Sequence, residues 1–225
     1  MSAITKEAGE MNKKTNRLVK AYCLIKKDLY RKGFFEEIEW QYNISRREID
    51  QVLFMNEASW VILNTGMKEY VVRKKFSLVV DSFRRWTDFN WIVSNPEACE
   101  TSALKHFNNQ RKIHAIVSIA CDIQMKGFSF YKNCIKEFGC DFLASLPHIG
   151  PVTSLHFGKN IGLNVFKPDR HMNKISSLLG FPSPKYLCDI ISSETDDPIP
   201  VVDIVIWRFC TIYNSSIESF AKAFC

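Results

Sequence analysis

The chain has 225 residues, 46% of them hydrophobic and 24% charged, with a formal net charge of +6. That is enough for one large domain or two small lobes. The mild basic excess permits an acidic partner such as nucleic acid without demanding one. A charged residue interrupts every apolar stretch before it reaches membrane-spanning length, so no membrane association is expected.

The first residues, 1–14, are polar, lack the apolar core of a secretory signal and read as a disordered start. Leu18, Tyr22, Ile25 and Leu29 then follow helical spacing. Ser45-Arg46-Arg47-Glu48 has the form of a capping box opening a helix through Ile49, Val52, Leu53 and the run Trp60-Val61-Ile62-Leu63. Asn64-Thr65-Gly66 breaks that helix, and another follows through Tyr70, Phe76, Val79 and Phe83. Pro96 stands where a helix would place its first residue. Ile113, Ile116, Val117, Ala120 and Ile123 line one face of a later helix. Short helices are expected over 130–138 and 141–146, and further ones over 172–179, 184–191 and 200–213, with a last turn to Phe220. No stretch alternates cleanly and no hairpin dipeptide occurs, so the fold class read from the pattern is all-α.

The eight cysteines are Cys23, Cys99, Cys121, Cys134, Cys140, Cys188, Cys210 and Cys225. None forms a Cys-x-x-Cys pair, which a zinc ribbon or iron–sulfur site would need to wrap one loop around the metal. They read as reduced thiols of a cytoplasmic protein with no metal and no cofactor.

The informative stretch is Leu146-Pro147-His148-Ile149-Gly150-Pro151-Val152-Thr153-Ser154. A short helix ends, a tight turn follows, and Pro151 starts a second helix where its missing N–H costs nothing. Free N–H groups at such a helix start hold a phosphate through the backbone and the helix dipole, without reading a base.

This stretch resembles the helix-hairpin-helix motif, usually Leu-Pro-Gly-hydrophobic-Gly-x-x-Thr-Ala. Leu146, Pro147, Ile149, Gly150 and Thr153 match, Ser154 replaces the small alanine, and His148 departs from the first glycine. Nineteen residues after Gly150 comes Asp169, within Lys167-Pro168-Asp169-Arg170-His171-Met172-Asn173-Lys174-Ile175. The helix-hairpin-helix DNA glycosylases carry an aspartate at about this distance, just before a helix. Two weaker similarities join these. Trp60 to Lys74 resembles the early barrel helix and loop of that superfamily, with Asn64 or Met67 in place of its wedging glutamine. Val201 to Trp207 resembles the late helix of the other lobe. In pieces, the resemblance covers roughly residues 55–213, most densely 142–175.

The resemblance implies a base-flipping enzyme that hydrolyses an N-glycosidic bond. Asp169 would be the catalytic carboxylate, stabilising positive charge on the sugar. His148, Ile149, Gly150, Pro151, Thr153, Lys167, Arg170 and His171 would contact DNA. Trp60, Asn64 and Trp207 would line the base pocket, with Trp91 and Phe34 as further aromatic candidates. Relatives that also nick the strand carry a lysine where this chain has Val152, so no Schiff base is expected and the product is an intact abasic site. Cys188, Cys210 and Cys225 lack the spacing of the superfamily's iron–sulfur branch. The motif order implies two helical lobes, residues 51–165 forming a barrel lobe that ends in the hairpin and residues 15–50 with 166–225 forming the second. Asp169 would face the cleft between them. The expected partner is double-stranded DNA, bound by a monomer.

In isolation Pro168-Asp169-Arg170 is a helix cap; it is the hairpin at matching distance that favours the catalytic reading. Non-catalytic DNA binding through the hairpin is the alternative, and an adaptor that binds no DNA is a third reading. Two substrate classes stay open: alkylated or deaminated bases of repair, and a bulky modified cytosine of phage DNA, which would make the protein an antiviral factor.

Overall fold

The computed structural model describes the backbone of residues 3–168 and 170–213, and their side chains from residue 12 on. Asp169 and the expected turn to Phe220 lie outside the described residues. Everything described is helix, turn or loop, with no strand. In chain order the helices are α1 (Ala3–Arg31), α2 (Phe35–Arg46), α3 (Gln51–Asn64), α4 (Glu69–Asp81), α5 (Phe89–Ser94), α6 (Pro96–His106), α7 (Gln110–Lys126), α8 (Phe128–Phe138), α9 (Cys140–Ala144), α10 (Pro151–Asn160), α11 (Arg170–Leu178), α12 (Pro184–Thr195) and α13 (Ile199–Ile212). Among the described residues no helix is long and apolar enough to cross a membrane.

The backbone of α1 begins at Ala3. One reading of local structure needs correction. Ser45 does not open α3. It sits in the last turn of α2, its hydroxyl donating to the Tyr42 carbonyl at 2.9 Å. Asp50 is the cap instead, accepting the Leu53 N–H at 2.7 Å. An aspartate there answers both an orphan donor and the positive end of the helix dipole.

The chain divides into two compact units, one made of residues up to Arg46 with those from Asn164 on, the other of Arg47–Leu163. In the first unit Leu18, Tyr22, Leu29, Met172, Ile175, Leu187, Val202, Val205 and Ile206 form a core of α1, α2 and α11 to α13. Its polar tie is Asp197, at the corner before α13. Asp197 accepts from Tyr22 at 2.5 Å, from Lys26 at 2.7 Å and from the Tyr42 hydroxyl. Burial alone would raise this carboxyl, but these donors outweigh it and hold the group below the usual carboxylate range.

In the second unit the apolar face of α7 (Ile113, Ile116, Ile119, Ala120, Ile123) is buried against α3, α5 and α6. One connection there is unusual. Arg84, Arg85 and Trp86 all take positive φ, at 48°, 52° and 61°. Each non-glycine residue so placed costs roughly 1–2 kcal/mol. Trp86 is buried and stacks on Phe83 with centroids 4.5 Å apart, while Arg84 pairs with Asp88 and covers Trp91. These contacts offset the strain, although the Trp86 Nε1 has no hydrogen-bond partner among the described residues.

Candidate functional site

The Leu146–Gly150 turn is built from two buried apolar anchors and an exposed tip. Leu146 and Ile149 are buried; Pro147 and His148 between them are exposed. The Ile149 N–H donates to the Leu146 carbonyl at 3.1 Å. His148 has φ +63°. Proline at the first central position and positive φ at the second describe a type II turn, whose second place favours glycine. The imidazole is thus carried on left-handed backbone, at a place in the turn that glycine would favour.

Gly150 differs. Its φ of −101° and ψ of −179° are extended backbone open to any residue, and a Cβ added there would meet nothing within 4 Å. It is the N-cap of α10, Pro151 follows at the first helical position, and no side chain caps the helix. The N–H groups of Val152 and Thr153 thus start α10 without an intrahelical acceptor. Chemically the turn offers neutral donors and a helix dipole beside the exposed Pro151 and Val152, an arrangement suited to a phosphate. Val152 is 55% exposed on this first turn.

Two cations of α7 act on this turn. Desolvation first, then the charges of Lys112 and Arg111, hold the His148 ring below the usual histidine range. Lys112 is itself buried, and its Nζ donates to the Leu63 carbonyl at 2.7 Å and the Thr65 carbonyl at 2.6 Å. It thereby stabilises the negative end of α3 and fixes the Asn64-Thr65-Gly66 break. Met67, just beyond, is 43% exposed.

Trp60 and Asn64 lie on one face of α3, both half-buried. Phe76 meets the Trp60 ring edge-on at 5.1 Å and Arg73 lies over it at 5.3 Å. Asn64 donates back to the Trp60 carbonyl at 2.9 Å. One turn earlier on the same face stands Glu57, which the sequence reading missed. Its Oε2 accepts from the Asn160 Nδ2 of α10 at 2.8 Å. Burial pushes its carboxyl up to about 7, against the hydrogen bond from Asn160, which favours the anion.

The other expected site residues belong to the first unit. Lys167 donates its backbone N–H to Asp203 Oδ2 at 3.2 Å, and Asp203 is buried on α13. Sequence reading passed over Asp203, although an acid within Val201-Val202-Asp203-Ile204-Val205 was a visible signal. Arg170 is exposed and His171 half-buried at the start of α11. Trp207 is half-buried on α13 with Arg208 over its ring at 4.8 Å; Arg208 also covers Phe34 at 5.0 Å. Trp91 lies under Arg84 in the second unit, on α5. The structure thus places His148, Ile149 and Gly150 on the turn, Pro151 and Thr153 in the first turn of α10, Trp60 and Asn64 on α3, and Lys167, Arg170, His171 and Trp207 in the other unit.

No family model, curated protein or solved structure matches the chain.

Proposed function

We propose that this chain is a monofunctional DNA glycosylase of the helix-hairpin-helix kind, acting on double-stranded DNA. The observation that carries the reading is the turn from Leu146 to Gly150. Its second central residue, His148, has a positive φ at the place where the motif carries glycine, and an uncapped helix N-terminus follows directly. That geometry supports a backbone grip on phosphate that is indifferent to sequence. The spacing to Asp169 adds the catalytic half of the proposal. A carboxylate there stabilises the oxocarbenium character of the sugar while the flipped base departs, and orients the water that replaces it. Val152, where bifunctional relatives have lysine, supplies no amine, so the strand is left uncut.

Asp169→Asn tests the assignment. Base release, scored as alkali-labile abasic sites, is expected to fall by a factor on the order of 1,000 or more while DNA binding persists. Borohydride should trap no covalent complex with the wild type. Gly150→Leu tests the grip: the open space at this position lets the variant fold, but the side chain screens the first N–H groups of α10, and DNA of every sequence should bind more weakly. Full base release by Asp169→Asn would reject the catalytic role, and unchanged DNA binding by Gly150→Leu would reject the grip.

A further inference from the structure

Glu57, Trp60 and Asn64 stand at i, i+3 and i+7 of α3, so they share one face. All three are half-buried, whereas Phe54, Met55, Ala58, Val61, Ile62 and Leu63 of the same helix are buried. This stripe is therefore partly exposed between the contacts α3 makes with α4, through Trp60, and with α10, through Glu57. It brings an indole, an amide and a carboxyl into line.

The carboxyl is held but not neutralised. Asn160 bonds Oε2, while Oε1 has no hydrogen bond among the described residues. Several cations of the elements packed on α3 are occupied elsewhere, while Lys74 and Lys75 of α4 and Arg111 of α7 form no ion pair with Glu57 among the described residues. Arg73 pairs with Glu69, Arg84 with Asp88, Arg85 with Asp81, and Lys112 holds two carbonyls. Lys159 and His156 of α10 have partners of their own. None forms an ion pair with Glu57 among the described residues. A carboxyl so placed keeps its proton to about neutral pH, as a general acid working at that pH must.

We propose that Glu57 is the proton donor to the departing base, held by Asn160 on the face of α3 that carries Trp60 and Asn64, and that the substrate is a base uncharged in DNA. This rests on the glycosylase reading. The Glu57 proton passes to an acceptor atom of the base as the bond from C1′ to the base nitrogen breaks. The bonding electrons leave with the base, which departs neutral, and Glu57 becomes the carboxylate. Water adds its oxygen to C1′ and releases its second proton to a carboxylate or to solvent. An alkylated cationic base needs none of this, since it already leaves as a neutral molecule. A donor acid is of use only where the base would otherwise leave as an anion, which narrows the substrate to neutral deaminated or modified bases.

The test uses the full chain and duplex oligonucleotides carrying one uracil, hypoxanthine, glucosylated hydroxymethylcytosine or N7-methylguanine. The wild type is expected to release at least one of the first three, with a single-turnover rate that falls above about pH 7. Glu57→Gln should slow that release by about 100-fold or more, with affinity for a duplex holding an abasic-site analogue unchanged. Asn160→Ala removes a bond that favours the anion, so the fall in rate should move to higher pH. This shift is read without the Glu57 variant and decides the matter if that variant fails to fold. Release by Glu57→Gln within about threefold of wild type, an unmoved pH profile in Asn160→Ala, or wild-type release of N7-methylguanine alone would each overturn the proposal while leaving the glycosylase reading intact. Release of no base at all from any of the four overturns both.

Discussion

Lys112, in the first turn of α7, reaches the carbonyl oxygen of Leu63 at the end of α3, 2.7 Å from its Nζ. The same ammonium takes the Thr65 carbonyl at 2.6 Å, so one buried charge closes a helix and sets the loop that follows. Lys112→Met keeps the length of the side chain and removes the donor. Two carbonyls then lose their partner in a poorly solvated place, at a cost of about 2–3 kcal/mol. A lower midpoint in urea denaturation, with little change in slope, is the expected result.

His148→Gly should stabilise the protein or leave it unchanged. At φ +63° the histidine sits where glycine is at ease, and relief of roughly 1 kcal/mol opposes the extra chain entropy that glycine loses on folding. His148→Val, β-branched at the same place, should destabilise by about 1–2 kcal/mol. Comparing the two midpoints checks both directions.

Glu57 gives a stability prediction that needs no substrate. Its folded carboxyl is raised to about 7, above the usual value near 4.3 for an unfolded chain. A raised carboxyl lends stability that is full below the unfolded value and is lost as pH rises through the folded one. Relative to wild type, Glu57→Gln should therefore gain stability between about pH 5 and pH 8, by about 2 kcal/mol at the upper end. Parallel melting curves for the two proteins that do not converge or diverge with pH would show that the carboxyl is not displaced.

Asp197 runs the other way. Tyr22, Lys26 and Tyr42 hold its carboxyl low against the opposing effect of burial. Its stabilising contribution is present above the unfolded value, near 3.9, and fades as pH falls through the folded one. Asp197→Asn should lose about 3 kcal/mol at neutral pH, since Lys26 keeps its charge without a counter-ion. The gap from wild type should narrow below about pH 4. Thermal denaturation at pH 7 and pH 3 measures both.

The helical architecture was legible because its punctuation is local. Asn64-Thr65-Gly66 ends α3, and Pro96, Pro151 and Pro184 sit in the first turn of their helices. The start of α3 was misread because Ser45 and Asp50 lie close together and both suit a cap; only the contact of Ser45 with Tyr42 decides between them. The left-handed run at Arg84, Arg85 and Trp86 contains no glycine, so nothing in the sequence announces it. Around the candidate site, the turn was legible from Pro147 and Gly150, whereas the left-handed backbone of His148 was not. Glu57 was not legible. A single glutamate in a helix is ordinarily a solvated one, and its partner Asn160 arrives from 103 residues away. Lys112 was hidden in the same way, since its acceptors are backbone carbonyls 49 and 47 residues back.

The unit Arg47–Leu163 is one continuous stretch that interrupts the sequence of the other, and a ribosome meets this arrangement in a fixed order. The inner unit is complete once Leu163 has emerged. The outer one is not, because α1 and α2 pack on α13 and their tie to Asp197 is made near the end of the chain. Until then Leu18, Tyr22, Leu29 and Ile38, buried in the finished protein, have nothing to cover them. A nascent chain in that interval exposes apolar surface of the kind that makes partly folded chains prone to aggregate. A premature stop after residue 163 would release a folded inner unit trailing two uncovered helices.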